Sequence, residues 1–194
     1  MSSPPRLAFF GGTFDPIHLG HLEIARKARA ALQLDQVIFL PCRQSPHKTT
    51  KPGASDQERL EMIQMATRDL PWAKVSSHEL EKPPPSYTSQ TVQELRATLP
   101  INSRIFLILG LDQWESLPKW HQPERLAREL EFIVIGRNGQ ATPRAGYRAH
   151  FLHGDHPASS SEIRADLAQG RQARWLPEKV RTFLTKKGLY SDIA

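Results

Sequence analysis

The stretch LAFFGGTFDPIHLGHLEIARKARAALQLDQVIFL, residues 7–40, decides the fold. Its two ends, LAFF at 7–10 and VIFL at 37–40, are apolar without alternation, the pattern of strands covered on both faces. Between them HLGHLEIARKARAALQL puts Leu22, Ala25, Ala28 and Leu32 on one stripe, with Arg26, Lys27 and Arg29 elsewhere on the turn. That is a crossover helix joining two strands. Two further runs of the same kind, IFLIL at 105–109 and FIVI at 132–135, extend the pattern. The reading is an α/β fold, a Rossmann-like doubly wound parallel sheet, whose crossovers are right-handed and whose ligands lie beyond the carboxyl ends of the strands.

Outside that core, Ser55 followed by DQERLEMIQMAT reads as a capped helix with Leu60, Ile63 and Met65 or Ala66 facing inward. TSQTVQELRATL at 88–99 reads as another helix, after a Pro-rich loop at 81–87. The tail holds two more: SSSEIRADLAQG, opened by serines and ended by Gly170, and PEKVRTFLTKKG, with Pro177 at its start and Gly188 after it. At 194 residues the chain is expected to form one domain, 1–194.

No segment has the form of a signal-peptide core. The longest strongly apolar stretch, IFLILGL at 105–111, is far short of a membrane span, so a soluble, cytoplasmic protein without membrane contact is expected. A single cysteine, Cys42, excludes an intrachain disulfide and a multi-cysteine zinc site. The net charge of +6 fits either a nucleic acid backbone or several phosphates on a small ligand. The basic residues are scattered, with no run of five like charges, and no nucleic acid partner is expected.

The chemistry concentrates in GGTFDPIHLGH, residues 11–21, between a buried strand and a helix start. Gly11 and Gly12 let the backbone turn sharply and approach a phosphate, and unpaired amides at the helix start offer donors at a positive dipole end. His18 and His21, three residues apart, project from one face, where two imidazoles can donate to phosphoryl oxygens. Gly20 between them removes a side chain where a nucleotide could lie. A metal site is the competing reading of such a pair, but a metal needs more ligands. The acid inside the motif, Asp15, is more naturally committed to the turn with Pro16.

The pattern GGTFDPxHxGH is that of the nucleotidyltransferase superfamily, and with the segments below the chain resembles the bacterial nicotinate-nucleotide adenylyltransferase family. The HxGH core alone is also similar to class I aminoacyl-tRNA synthetases and phosphopantetheine adenylyltransferases. ASSSEIR at 158–164 is similar to the family's ISSTxIR, with Ala158 for isoleucine and Ser161 for threonine. Serine hydroxyls and free amides at a helix start, with Arg164 one turn in, make a second anion cradle. PSYTSQT at 85–91 resembles PSYTxxT, GLDQW at 110–114 matches GxD, and LPKW at 117–120 supplies Trp120 where the family stacks an aromatic ring.

The resemblance implies transfer of AMP from ATP to nicotinate mononucleotide, with C-terminal helices covering the nucleotide site. It implies His18, His21 and Arg164 in catalysis; Gly11, Gly12, Thr13, Phe14, Lys48, Gly110, Asp112 and Ser160 on the ATP side; and Tyr87, Thr88, Trp120 and Arg137 around the nicotinate nucleotide. Mg2+ is implied as an ion held mainly by ATP phosphates, with no metal ligand assigned to the protein. An ordinary serine cap for 158–164 and a helix cap for Asp112 stay open. So does a different phosphorylated acceptor, nicotinamide mononucleotide or phosphopantetheine among them. Against an RNA-handling protein stand the lack of a KMSKS-like segment and of room for an anticodon domain.

Overall fold

Every one of the four apolar runs forms the interior of a strand. The structure, a computed structural model, describes residues 3–46, 51–136, 142–154 and 156–191. The strands are β1 (Arg6–Gly12), β2 (Gln36–Pro41), β3 (Ala73–Val75), β4 (Arg104–Gly110), β5 (Glu131–Gly136) and β6 (Ala149–His153). They form one six-stranded sheet in the order β3-β2-β1-β4-β5-β6, and every neighbouring pair is parallel. The helices are α1 (Leu19–Leu32), α2 (Asp56–Thr67), α3 (Thr88–Arg96), α4 (Leu111–Ser116), α5 (Pro123–Glu129), α6 (Ser160–Ala168) and α7 (Glu178–Lys187).

Because successive strand residues point to opposite faces, each run feeds two cores. Ala8, Phe10, Phe106, Ile108, Ile133 and Ile135 pack on one face with Leu22, Ala25, Ala28 and Leu32 of α1 and with Met62, Ile63, Val180 and Leu184 of α2 and α7. Phe9, Leu107, Leu109, Phe132 and Val134 pack on the other with Val92 of α3, Trp114 of α4 and Leu126 of α5. Helices on both faces explain why the strands show no alternation.

The α1 stripe is buried as read. The inward face of α2 differs: Arg59, Met62, Ile63 and Thr67 are buried, whereas Met65 and Ala66 are only partly so. An arginine takes the first inward position because backbone carbonyls await it there, as described below. Two edge strands carry little apolar signal, β3 being three residues long and β6 reading AHFLH with an exposed Phe151. β6 is tied in by a side-chain hydrogen bond as well as by its ladder, since His150 Nε2 lies 2.8 Å from Oε2 of Glu131 at the start of β5. Burial pushes the Glu131 carboxyl up, but hydrogen bonds from His150 and Arg104 outweigh it and hold the group below the ordinary carboxylate range. Of the two C-terminal helices, α6 reaches the site, whereas α7 packs against α2, with Lys179 bridging to Asp69 at 2.8 Å. Among the described residues no helix is long and apolar enough to cross a membrane.

Candidate functional site

The carboxyl ends of β1 and β4 are neighbours, and from them the chain leaves toward opposite edges of the sheet. Doubly wound sheets open a ligand crevice at such a switch point. Two cavities lie there. One, of about 380 Å³, runs from Gly11, Gly12, Thr13 and Phe14 past His21 to Tyr87, Thr88 and Trp120, and includes Ser160 and Arg164. The other, of about 580 Å³, is lined by His18, Gly20, Asp112, Ile135, His156 and Glu162 among others. Gly110 and Ile24 belong to both walls.

His18 caps α1 and His21 sits on its first turn, and their rings stack with centroids 3.7 Å apart and planes at 23°. The His18 amide donates to His21 Nδ1 at 3.3 Å, which makes Nδ1 the acceptor and leaves Nε2 as the proton-bearing atom of a neutral His21. The amides at the helix start are less open than expected. Leu19 donates its amide to the Trp175 carbonyl at 2.8 Å and His21 donates to the His18 carbonyl at 3.0 Å. An anion here must therefore be met largely by the imidazoles.

The sharp turn after β1 is also made differently. The left-handed residue is Phe14, with φ of 51°, and neither Gly11 nor Gly12 has a positive φ. Burial of the Phe14 ring against Phe10, Phe39 and His21 offsets the roughly 1–2 kcal/mol that this backbone costs a non-glycine residue. Gly12 is closely confined, since a Cβ there would stand 3.1 Å from the Phe14 ring. Gly20 is equally confined, with His18 Nδ1 and His156 Nδ1 each 3.1 Å from where its Cβ would be.

Asp15 lies in the turn with Pro16, as read, and its side chain is buried there. It is 5% exposed, and its carboxylate accepts from the amides of Gly53 at 2.8 Å and Ala54 at 3.0 Å and from the Tyr190 hydroxyl at 2.6 Å. Arg164 donates to the Asp15 carbonyl at 2.7 Å, and the Ser160 hydroxyl donates to the Pro16 carbonyl at 3.0 Å. The glycine and histidine segment and the serine-rich start of α6, 149 residues apart, are thus bolted together. Burial, then the bond to Asp15 and its charge, push the Tyr190 phenol well above its ordinary range, so it stays a donor. Tyr190 holds a left-handed φ of 63°, and its ring lies 3.0 Å from where a Cβ on Gly53 would be. Tyr190→Phe should cost about 1.5–3 kcal/mol for a hydrogen bond to a buried charge. In a chain of this length that lowers Tm by roughly 3–12 °C in a calorimetric scan, and an unchanged Tm would remove Tyr190 from the bolt.

On the far side of the first cavity, Tyr87 caps α3 and packs on His121 with centroids 4.6 Å apart. Trp120 is half-buried, its indole donating to the Ser116 hydroxyl at 3.3 Å. Asp112 is exposed in the first turn of α4, at the rim of the second cavity, and the cap position belongs to Gly110. Lys48 and Arg137 lie outside the described residues. Sequence reasoning missed Glu79, buried in the wall of the first cavity, and Arg59, buried behind Thr13 and Cys42, and underrated Asp15 and Tyr190. Only the position of Asp15 inside the glycine and histidine motif could have flagged any of them.

The chain matches the cytidylyltransferase-like family over residues 9–166. It is 38% identical over 201 residues to a probable nicotinate-nucleotide adenylyltransferase of Roseiflexus sp. (strain RS-1), covering 98% of this chain and 100% of that one. It is 40% identical over 192 residues to a probable nicotinate-nucleotide adenylyltransferase of Exiguobacterium sibiricum, covering 96% and 99%. Among solved structures it resembles the nicotinic acid mononucleotide adenylyltransferase of Plasmodium falciparum complexed with NaAD. The TM-score is 0.78 at 19% identity, over 96% of this chain and 97% of that one.

Proposed function

The chain belongs to the nicotinate-nucleotide adenylyltransferase family, among the cytidylyltransferase-like proteins, and from that premise we propose how its residues divide the labour within a single unit, 1–194. The enzyme joins the adenylyl group of ATP to nicotinate mononucleotide, giving nicotinate adenine dinucleotide and pyrophosphate. A 5′-phosphate oxygen of the acceptor attacks the α-phosphorus, and the bond to the bridging oxygen breaks with its electron pair leaving on pyrophosphate. No enzyme nucleophile is needed, so catalysis is alignment plus neutralisation of growing phosphate charge.

The observation that carries the reading is the stacked histidine pair standing between two cavities, one ring lining each. Adenosine occupies the second cavity, beside Gly20, Gly110 and Asp112. The acceptor occupies the first, its pyridine against Trp120 and its acid group toward Tyr87 and Thr88. The α-phosphate crosses at His18 and His21, above Gly11, Gly12, Thr13 and Phe14. Ser160 and Arg164 meet the β- and γ-phosphates, with Lys48 and Arg137 as further phosphate or nucleotide contacts.

Among the described residues no group of three or more His, Cys, Asp or Glu could hold a metal ion. Asp15 already accepts from two amides and a hydroxyl. The reading keeps a Mg2+ ion held mainly by the ATP phosphates, which would draw charge from the departing pyrophosphate.

Pyrophosphate release with Mg2+ and ATP tests the assignment. Nicotinate mononucleotide should exceed nicotinamide mononucleotide and phosphopantetheine by at least about tenfold in kcat/KM, as expected where polar groups are aimed at one substrate. Preference for another acceptor would keep the chemistry and overturn the Tyr87, Thr88 and Trp120 cavity, and no release with any acceptor would overturn the whole reading.

A further inference from the structure

Glu79 is a carboxylic acid buried in the wall of the acceptor cavity, with no part in the phosphoryl chemistry above. It is 7% exposed and shares that wall with Tyr87, Thr88 and Trp120. A second negative charge there would oppose an acceptor that carries an acid group on its ring, so its presence needs an explanation.

Its hydrogen bonds supply one. Glu79 Oε1 accepts from the Thr91 hydroxyl at 2.7 Å, a fully buried contact. Thr91 lies one turn along α3 from Tyr87, and its amide donates to the Tyr87 carbonyl at 3.1 Å. The same segment is gripped from a second side, since Ser86 donates its amide to the Gln44 carbonyl at 3.1 Å and accepts from the Arg43 amide at 3.2 Å. The basic side chains of the Glu79 loop, His78 and Lys82, both engage Glu94. Burial pushes the Glu79 carboxyl up, against the pull of the Thr91 hydroxyl, the charge of His78 and the Ser86 hydroxyl.

Resting on the functional reading above, we propose that Glu79 is a positioning residue for acceptor choice. Through Thr91 it fixes the first turn of α3, so that Tyr87 and Thr88 present one geometry to the acid group of the pyridine. An acid and an amide acceptor differ only at that group, so loosening this turn reduces discrimination between them while leaving the ATP cavity untouched.

The test measures kcat and KM for ATP, nicotinate mononucleotide and nicotinamide mononucleotide in the full-length Glu79→Ala, Glu79→Gln and Thr91→Val enzymes. Glu79→Ala should raise KM for nicotinate mononucleotide about tenfold, as loss of a buried hydrogen bond implies, and lower the acid-to-amide ratio of kcat/KM similarly, with KM for ATP within about twofold. Thr91→Val, which removes only the hydroxyl, should reproduce the change. Glu79→Gln keeps an acceptor for that hydroxyl and should restore the ratio to within about threefold of the original. An unchanged ratio in both Glu79→Ala and Thr91→Val, or an equal rise in the KM of ATP and acceptor, would overturn the proposal while leaving the enzyme's activity established. Absence of pyrophosphate release from the unaltered enzyme with both acceptors would sink the functional reading and this inference with it.

Discussion

Alanine at His21 should lower kcat by about 10²–10³-fold, the usual loss when one preorganised donor to a developing charge is removed. The fold should persist, because His21 is half-buried and its ring is replaced at a helix position where alanine is the best former. KM for ATP should change little, since the charge that the imidazole meets grows mainly in the transition state. The structure adds an expectation for the pair. The rings stack at 3.7 Å, so each ring packs on the other, while the backbone amide of residue 18 holds His21 Nδ1 whatever side chain stands at 18. His18→Ala should cost a similar factor, and the double variant should lose clearly less than the product of the two, as expected of groups serving one phosphate. Pyrophosphate release with circular dichroism alongside checks this, and a His21→Ala enzyme within threefold of normal kcat would remove the histidines from the reaction.

The fold was legible because its strongest physical requirement, burial of four strands on both faces, writes itself into composition at 7–10, 37–40, 105–109 and 132–135. β3 and β6 were not, because edge strands half open to water need neither length nor continuous apolar residues. At the site, the local motif showed which side chains stand together, since helix spacing alone puts His18 beside His21. It could not show which groups hold the motif in place. Asp15 reads as a turn acid until Gly53, Ala54 and Tyr190 are brought to it from 38, 39 and 175 residues away. Glu79 reads as one charge in a polar loop until Thr91 folds back over it. The expected inward row of α2, Leu60, Ile63 and Met65 or Ala66, missed Arg59 because no periodicity argument places an arginine in a core when its carbonyl partners lie on other segments.

Arg59→Met carries the largest expected loss of stability for the same reason. The guanidinium is 0% exposed and donates through Nη1 to the carbonyls of Thr13 at 2.7 Å and Cys42 at 2.8 Å, and through Nη2 to Asp56 at 2.6 Å. Those carbonyls lie just past the ends of β1 and β2, which are themselves joined by the Cys42 amide donating to the Gly12 carbonyl at 2.9 Å. One planar fork thus sets the spacing of two strand exits, and one of them carries Thr13 in the wall of the first cavity. Methionine fills comparable volume but takes the guanidinium away from both carbonyls and from Asp56, which among the described residues keeps the ion pair with Arg43, whose Nε is 3.2 Å away. Breaking a buried charged network typically costs about 3–5 kcal/mol, which in a chain of this length lowers Tm by roughly 6–20 °C. Lysine keeps the charge but places a single ammonium where two carbonyls and a carboxylate were bridged, so Arg59→Lys should recover only part of that loss. If Arg59 merely filled space, methionine would be the milder change and lysine the worse one; the order of the two melting temperatures in a calorimetric scan therefore separates a bridging role from a packing one.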